Sequence, residues 1–144
     1  MNKTHEKAID YLSRREHSRA ELKQKLAVKD FPLEDIETTL DDLAARNFQS
    51  DARFAETYVR YRKQAGFGPL KIIAELRERG VDDAIISSTV DSNANEWQTQ
   101  MIDVWKRKFS SGIKTKDKAA QFRFLASRGY LTEAINKILF STKS

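Results

Sequence analysis

An internal repeat constrains the fold of this chain more than any other feature of its sequence. Three segments, residues 18–40, 68–90 and 117–139, can be laid over one another with offsets of 50 and then 49 residues. Apolar residues recur in them at intervals of three and four, the spacing of one face of a helix. Four apolar positions recur in all three segments, occupied by Leu26, Leu76 and Leu125; Phe31, Val81 and Tyr130; Ile36, Ile86 and Ile135; and Leu40, Val90 and Leu139. Such self-similarity is typical of stacked helical repeats.

The middle of each repeat predicts a sharp turn between two helices. The first helix ends near Asp30, Gly80 or Gly129, and an apolar residue follows at once. Glycine adopts at little cost the left-handed backbone that commonly ends a helix. Aspartate has to adopt it in the first repeat, at some cost.

The starts of the helices are marked as well. Ser18 and Glu21 have the spacing of a capping box, in which each side chain accepts a hydrogen bond from the other residue's backbone N–H. The pair Gly68–Pro69 suits an N-cap followed by the first helical residue, where the N–H that proline lacks has no partner anyway.

A further helical pattern precedes each pair of helices and begins near Ala8, Phe54 or Met101. Units this small bury too little surface alone, so neighbouring units are expected to stack. We therefore predict an all-α fold of three tandem three-helix repeats, stacked into an elongated structure that can be curved. The predicted repeats are residues 1–50, 51–94 and 95–144, and the third is the basic one.

Composition limits the class of protein. The chain has 144 residues, of which 40% are hydrophobic and 33% charged, and it contains no cysteine. It cannot form disulfides or thiolate metal sites, which fits a reducing compartment. No apolar run is long enough for a signal peptide or a transmembrane helix. We expect a cytoplasmic monomer without membrane contact.

Charge is distributed unevenly along the chain. The net charge is −1 over residues 1–50, −1 over residues 51–100 and +7 over residues 101–144. A basic C-terminal third predicts a polyanion or an acidic protein surface as partner. A solvated lysine-rich face that aids solubility is an equally good interpretation. Residues 30–42 carry six acids and no base, which indicates an acidic outer helix face or a docking surface for a basic partner.

Residue patterns for catalysis, cofactor binding or metal binding are missing. The two histidines, His5 and His17, have no partner at metal-ligand spacing. A dinucleotide fingerprint starting at Gly66 and Gly68 needs a third glycine where the chain has Lys71. A plain helix start is favoured there, and the alternative is a helix N-terminus that holds a nucleic-acid phosphate beside Lys71. We predict no catalytic residue, cofactor or metal, and a protein that is not an enzyme.

Basic residues with nearby aromatic residues form two candidate binding patches, because cations neutralise phosphates and aromatic rings can stack on bases. The repeat alignment assigns Tyr58 and Trp105 to the core, favours Tyr61 and Phe67 as surface residues, and leaves Trp97 open. The first patch comprises Arg60, Arg62, Lys63, Phe67, Lys71, Arg77 and Arg79. The second patch comprises Lys106, Arg107, Lys108, Lys114, Lys116, Lys118, Arg123 and Arg128.

Three motifs resemble those of the RecX regulatory proteins of bacteria: SRAELKQKL (18–26), SDARFAETYVRYR (50–62) and GPLKIIAELRERG (68–80). The resemblance covers nearly the full chain and is weakest in the third repeat. It implies a protein without enzymatic activity that binds the filament of the RecA recombinase on DNA. It also implies that the protein inhibits the recombinase, ATPase and co-protease activities of RecA. The alternative is a stand-alone helical-repeat protein, similar to helix-turn-helix proteins, that binds nucleic acid directly.

Overall fold

The computed structural model describes residues 2–109 and 117–140 of the chain. Within those residues it contains nine α-helices and no strand, so the predicted all-α class is confirmed. None of the described helices is long and apolar enough to span a membrane. The helices are α1 (Lys3–Arg14), α2 (Arg19–Val28), α3 (Leu33–Ala45), α4 (Asp51–Gln64), α5 (Pro69–Glu78), α6 (Asp83–Thr89), α7 (Asn95–Phe109), α8 (Lys118–Ser127) and α9 (Thr132–Phe140).

Both predicted helix starts are confirmed. The Ser18 hydroxyl accepts a hydrogen bond from the Glu21 N–H at 3.1 Å, and the Glu21 carboxylate accepts one from the Ser18 N–H at 3.1 Å. Helix α5 begins at Pro69, directly after Gly68. Local side-chain chemistry therefore sets where α2 and α5 begin.

The three predicted left-handed turns are also present. The backbone φ angle is 66° at Asp30, 81° at Gly80 and 98° at Gly129. In each turn the N–H of the next residue donates to the carbonyl oxygen five residues earlier, which closes the helix and directs the apolar residue inward. These bonds join Phe31 to Leu26 at 3.3 Å, Val81 to Leu76 at 3.1 Å, and Tyr130 to Leu125 at 3.3 Å.

The repeated apolar positions form the core. Leu26, Leu76 and Leu125 have no exposed surface at all. The other nine aligned residues are buried except Phe31, which is half-buried. The alignment of the repeats therefore identified eleven of the buried core residues from the sequence.

The helices group into two compact units. Unit 1 comprises the described residues of Met1–Tyr58 and Leu76–Thr89, and unit 2 those of Val59–Glu75 and Val90–Ser144. The division passes through α4 and α5, so helices of the middle repeat contribute to both units. The boundaries of the three repeats, after residues 50 and 94, stay a prediction.

The two units differ in net formal charge. The sequence of unit 1 has 12 basic and 15 acidic residues, a net charge of −3, whereas that of unit 2 has 14 and 6, a net charge of +8. The excess of positive charge that the sequence places toward the C-terminus thus belongs to unit 2, together with the second half of α4 and the first half of α5.

Candidate functional site

Each unit contains a contact between the start of one helix and the end of another, and the two contacts lie at equivalent positions of the repeat. In unit 1 the start of α2 meets the end of α5, a contact that we call junction 1. In unit 2 the start of α5 meets the end of α8, a contact that we call junction 2. Junction 1 is formed by Ser18, Ala20, Glu21, Glu78, Arg79 and Gly80, and junction 2 by their repeat equivalents Gly68, Leu70, Lys71, Ser127, Arg128 and Gly129.

Junction 1 depends on a close approach of two backbones. The Ser18 hydroxyl donates a hydrogen bond to the carbonyl oxygen of Arg79 at 2.7 Å. A Cβ atom on Gly80 would lie 2.4 Å from the Cβ of Ala20, which is shorter than real Cβ contacts allow. Gly80 is therefore required both for its positive φ and for this approach.

Junction 2 brings the backbones together in the same way, with main-chain donors in place of the serine. The N–H groups of Gly68 and Leu70 donate to the carbonyl oxygens of Arg128 and Gly129 at 2.7 and 2.9 Å. A Cβ on Gly68 would lie 2.6 Å from the carbonyl of Gly129. Two donors at the start of α5 are thus already bonded, which favours the predicted plain helix start over a phosphate site made by these N–H groups.

The charges at junction 1 are paired inside unit 1. The Arg79 Nε lies 3.7 Å from Oε2 of Glu21, and its Nη1 lies 3.9 Å from Oε1 of Glu78. The same guanidinium lies over the ring of Tyr58, 4.8 Å from the ring centre. Glu21 also accepts from Arg15 at 3.2 Å. Junction 1 therefore supplies its own counterions.

Junction 2 has the opposite arrangement of charge. Lys71 takes the position of Glu21, and Ser127 takes the position of Glu78. The guanidinium of Arg128 lies 4.7 Å from the ring centre of Phe67, and the Lys71 Nζ lies 6.0 Å from that same centre. Within residues 2–109 and 117–140, neither of these two cations has a carboxylate at ion-pair distance. Two cations therefore lie around one aromatic ring, and no acid in the described part of the chain pairs with either.

A third cation at this ring is already neutralised. The Arg62 guanidinium lies 3.9 Å from the centre of Phe67 and donates two hydrogen bonds, of 2.9 and 2.8 Å, to the carboxylate of Glu75. The side chains of this pair are 21% and 15% exposed, so Arg62 is bound within unit 2 rather than extended into solvent. Phe67, predicted at the surface, is half-buried because Arg62 and Arg128 cover it.

A cleft of about 230 Å³ lies beside Arg128 in unit 2. Arg128 donates to the carbonyl oxygen of Ala65 at 3.3 Å and lies 5.0 Å from the ring centre of Phe124. Lys108 lies 5.3 Å from the same ring. Arg107 also lines the cleft and forms an ion pair with Asp103, one turn earlier on α7. The walls of the cleft therefore combine cations with apolar surface.

The remaining predicted contacts are distributed over both units. Lys63 forms an ion pair with Glu96 and lies 4.7 Å from the ring centre of Trp97, and burial lowers the pKa of Lys63. Arg77, in unit 1, pairs with Asp83 at 3.0 Å. The other predicted basic residues with a described position, Arg60, Lys106, Lys118 and Arg123, are exposed. Lys114 and Lys116 lie outside the described residues.

The predictions for single aromatic residues had mixed outcomes. Tyr61 is 66% exposed, as predicted, and Trp97 is buried. Tyr58 and Trp105, which were assigned to the core, are half-buried. The Trp105 Nε1 donates to Gln121 at 2.8 Å. Sequence reasoning missed Phe124, which the spacing of the repeat does not separate from ordinary core residues.

Three of the six acids in residues 30–42, Glu37, Asp41 and Asp42, form ion pairs within unit 1. Glu37 accepts from Arg19 at 3.0 Å and from Lys23 at 2.9 Å. Asp42 accepts from His5 at 3.1 Å and from Arg46 at 3.1 Å. These pairs support the interpretation as an outer helix face.

Unit 1 contains one buried histidine with a defined hydrogen-bond pattern. His17 is 2% exposed; its Nδ1 lies 3.1 Å from the carbonyl oxygen of Arg15 and its Nε2 lies 2.8 Å from the Nζ of Lys25. An ammonium group can only donate, so Nε2 accepts and the ring is neutral. Burial lowers the pKa of His17, and the charges of Arg15 and Lys25 lower it further. In the described part of the chain, no group of three potential metal ligands is present.

Two family models match this chain in consecutive segments. Residues 5–43 match the model described as RecX, first three-helix domain, and residues 50–89 match RecX, second three-helix domain. Proteins with similar sequences carry the same name. The regulatory protein RecX of Pseudomonas entomophila is 42% identical over 135 residues, which cover 92% of this chain and 86% of that protein. That of Pseudomonas tolaasii is 42% identical over 134 residues, with the same coverage.

Solved structures show the same fold. The crystal structure of RecX from Lactobacillus salivarius superimposes with a TM-score of 0.77 at 22% identity, over 95% of this chain and 92% of that one. A crystal structure of a regulatory protein RecX also gives a TM-score of 0.77, at 21% identity, over 95% of this chain and 70% of that one. At these identities the structural likeness supports the fold alone.

Proposed function

This chain belongs to the RecX family of regulatory proteins, and we propose that it binds the RecA filament on DNA and inhibits the recombinase, ATPase and co-protease activities of RecA. The chain acts as a binding protein in this proposal, and no residue is assigned to catalysis. Unit 2 makes the main contact.

The observation that carries the proposal is the charge of unit 2. Its net charge is +8, and at junction 2 the cations Lys71 and Arg128 have no paired acid among the described residues. A filament on DNA presents both nucleic-acid phosphates and acidic protein side chains, and positive charge favours an encounter with either. Unit 1, with a net charge of −3 and its ion pairs satisfied internally, has less to offer such a partner.

The contact residues come from the predicted patches. The best placed are the predicted cations of unit 2 that form no ion pair within the described residues. They are Arg60, Lys71, Lys106, Lys108, Lys118, Arg123 and Arg128. Arg62 and Lys63 are each paired with a glutamate of unit 2, so we assign them no direct contact with the partner.

The direct test is the ATPase rate of RecA on single-stranded DNA, titrated with this chain. We expect the rate to fall as the chain is added, and filaments seen by electron microscopy to shorten or disappear. An unchanged rate and unchanged filament length at saturating concentration would overturn the proposal.

The same basic surface keeps direct nucleic-acid binding as a second candidate function. That function requires binding to single- or double-stranded DNA without RecA, weakening steeply between about 50 and 200 mM salt. If the chain alone does not bind DNA at low salt, direct nucleic-acid binding is excluded and the RecA filament remains as the partner.

A further inference from the structure

We propose that junction 2 binds a carboxylate side chain of a partner protein, at the place where junction 1 binds the chain's own Glu21. The inference rests on the proposed function, since it assigns one part of that contact to protein rather than to DNA. The partner is a protein segment that carries acidic and apolar side chains together.

The equivalence of the two junctions supplies the first argument. Glu21 at junction 1 is held by Arg79, whose repeat equivalent at junction 2 is Arg128. Each arginine directly precedes the left-handed glycine that ends its helix, Gly80 or Gly129, so the two side chains leave the backbone at equivalent positions of the turn. At junction 2 the acid is replaced by Lys71, so within the described residues Arg128 has no carboxylate partner and one more positive charge lies beside it.

The setting of the two cations supplies the second argument. The ring of Phe67 lies under both Arg128 and Lys71 and limits the directions that they can take. Arg128 is also fixed by its bond to the carbonyl oxygen of Ala65. A guanidinium held in this way loses little conformational freedom when it binds a carboxylate through two parallel hydrogen bonds.

Apolar surface next to the cations favours a protein segment over a phosphate backbone. Leu70, whose N–H is bonded to Gly129, is 47% exposed, whereas its equivalent at junction 1 is the small residue Ala20. Exposed leucine beside a cation fits a peptide in which an apolar residue follows an acidic one. A sugar–phosphate backbone offers Leu70 much less apolar surface than a leucine side chain does.

The test measures binding of fluorescent probes to the full chain by anisotropy, in the absence of RecA. The first probe is a labelled peptide of repeated Glu-Glu-Leu, the second a matched peptide of repeated Gln-Gln-Leu, and the third a labelled oligothymidylate. We expect the glutamate peptide to bind and the glutamine peptide to bind at least about tenfold more weakly. Equal binding of the two peptides would overturn the proposal.

Substitutions locate the site. Arg128→Gln should weaken binding of the glutamate peptide roughly tenfold, because it removes the paired hydrogen bonds. Lys71→Glu should weaken it more than Lys71→Gln does, because the new carboxylate can pair with Arg128 as Glu21 pairs with Arg79. Circular dichroism verifies that each variant is folded.

The matched control is Lys29→Gln. Lys29 occupies the same repeat position as Arg79 and Arg128 but lies exposed at the end of α2, so its loss removes one positive charge away from the junction. We expect less than about twofold change for this variant. Equal losses for Lys29→Gln and Arg128→Gln would show that only net charge matters and would contradict a defined site.

The oligothymidylate separates protein from nucleic acid. If Arg128→Gln and Lys71→Gln abolish its binding and leave the glutamate peptide unaffected, junction 2 is a phosphate site and the proposal is wrong. Because the assay contains no RecA, loss of peptide binding would leave the proposed regulation of RecA standing. Likewise, an unchanged RecA ATPase rate would overturn the proposed regulation of RecA but would not contradict binding of the glutamate peptide at junction 2.

Discussion

Junctions 1 and 2 share a backbone contact and differ in their side chains. In both, the end of a helix with a left-handed glycine approaches the start of another helix so closely that a side chain on that glycine would collide with the neighbour. At junction 1 a glutamate and an arginine form an ion pair, whereas at junction 2 the equivalent residues are a lysine and an arginine. The glycines preserve the stacking of the repeats, and the residues beside them are free to diverge. The difference in charge is the basis on which we propose junction 2 as the contact site.

The largest expected effect tests whether the two units depend equally on the repeated core. Leu26→Ala in unit 1 and Leu125→Ala in unit 2 should each lower the free energy of unfolding by roughly 2–5 kcal/mol, because both leucines are fully buried. Urea denaturation followed by circular dichroism measures the loss. A loss below about 1 kcal/mol in one of the two would break the equivalence.

The next largest effect on stability compares the glycines that end the helices at the two junctions. Gly80→Ala and Gly129→Ala should each cost roughly 1–3 kcal/mol, from a positive φ and from overpacking. The added methyl group on Gly80 meets only the Cβ of Ala20, so Ala20→Gly should recover part of the loss. The one on Gly129 meets both the Cβ and the backbone nitrogen of Lys71 at 2.5 Å, and Lys71→Gly removes only the Cβ contact, so it should recover little of the loss. Recovery in both double variants would contradict this difference.

Exchanging the charges of the junctions gives a smaller, asymmetric effect. Glu21→Lys should cost about 1–2 kcal/mol, because it removes half of the α2 capping box and leaves Arg79 facing a like charge. Lys71→Glu should change stability by less than about 1 kcal/mol, since an exposed new pair with Arg128 contributes little. Thermal or urea unfolding of both variants measures the contrast. Equal losses of stability in the two variants would mean that Lys71 stabilises the fold as much as Glu21 does.

A pH effect should arise from unit 1 alone. The pKa of His17 is lowered in the folded chain, so the unfolded chain binds the proton more tightly, and stability is lost as the pH falls below the ordinary value of 6.5. With His5→Gln as background, the free energy of unfolding should fall from about pH 7.5 to about pH 5.5. Adding His17→Gln should remove that dependence. A His17 pKa above 6.5 in an NMR titration would contradict the assignment.

Much of the fold could be predicted because the same constraints occur three times. One apolar pattern alone identifies a helix, whereas three aligned patterns identify Leu26, Leu76 and Leu125 as one core position. The turns were predictable as well, since glycine or a strained aspartate is needed wherever a helix ends in the left-handed region.

The candidate site was less predictable, because charge in a sequence carries no information on pairing. Arg62 was predicted as a contact residue, and the sequence did not reveal that it donates two hydrogen bonds to Glu75, 13 residues away on the next helix. The alignment did contain one usable signal, the replacement of Glu21 by Lys71. Its meaning depends on Arg79 and Arg128, which approach those positions from another helix.

The inhibition of RecA by a variant without the two junction 2 cations tests the central claim most directly. The ATPase rate of RecA on single-stranded DNA is titrated with the wild-type chain, the double variant Lys71→Gln/Arg128→Gln, and the control Lys29→Gln. We predict that the double variant needs at least about tenfold more protein for half-inhibition, whereas the control stays within about twofold of wild type. A folded double variant that inhibits as well as the wild-type chain would contradict the claim that junction 2 carries the function.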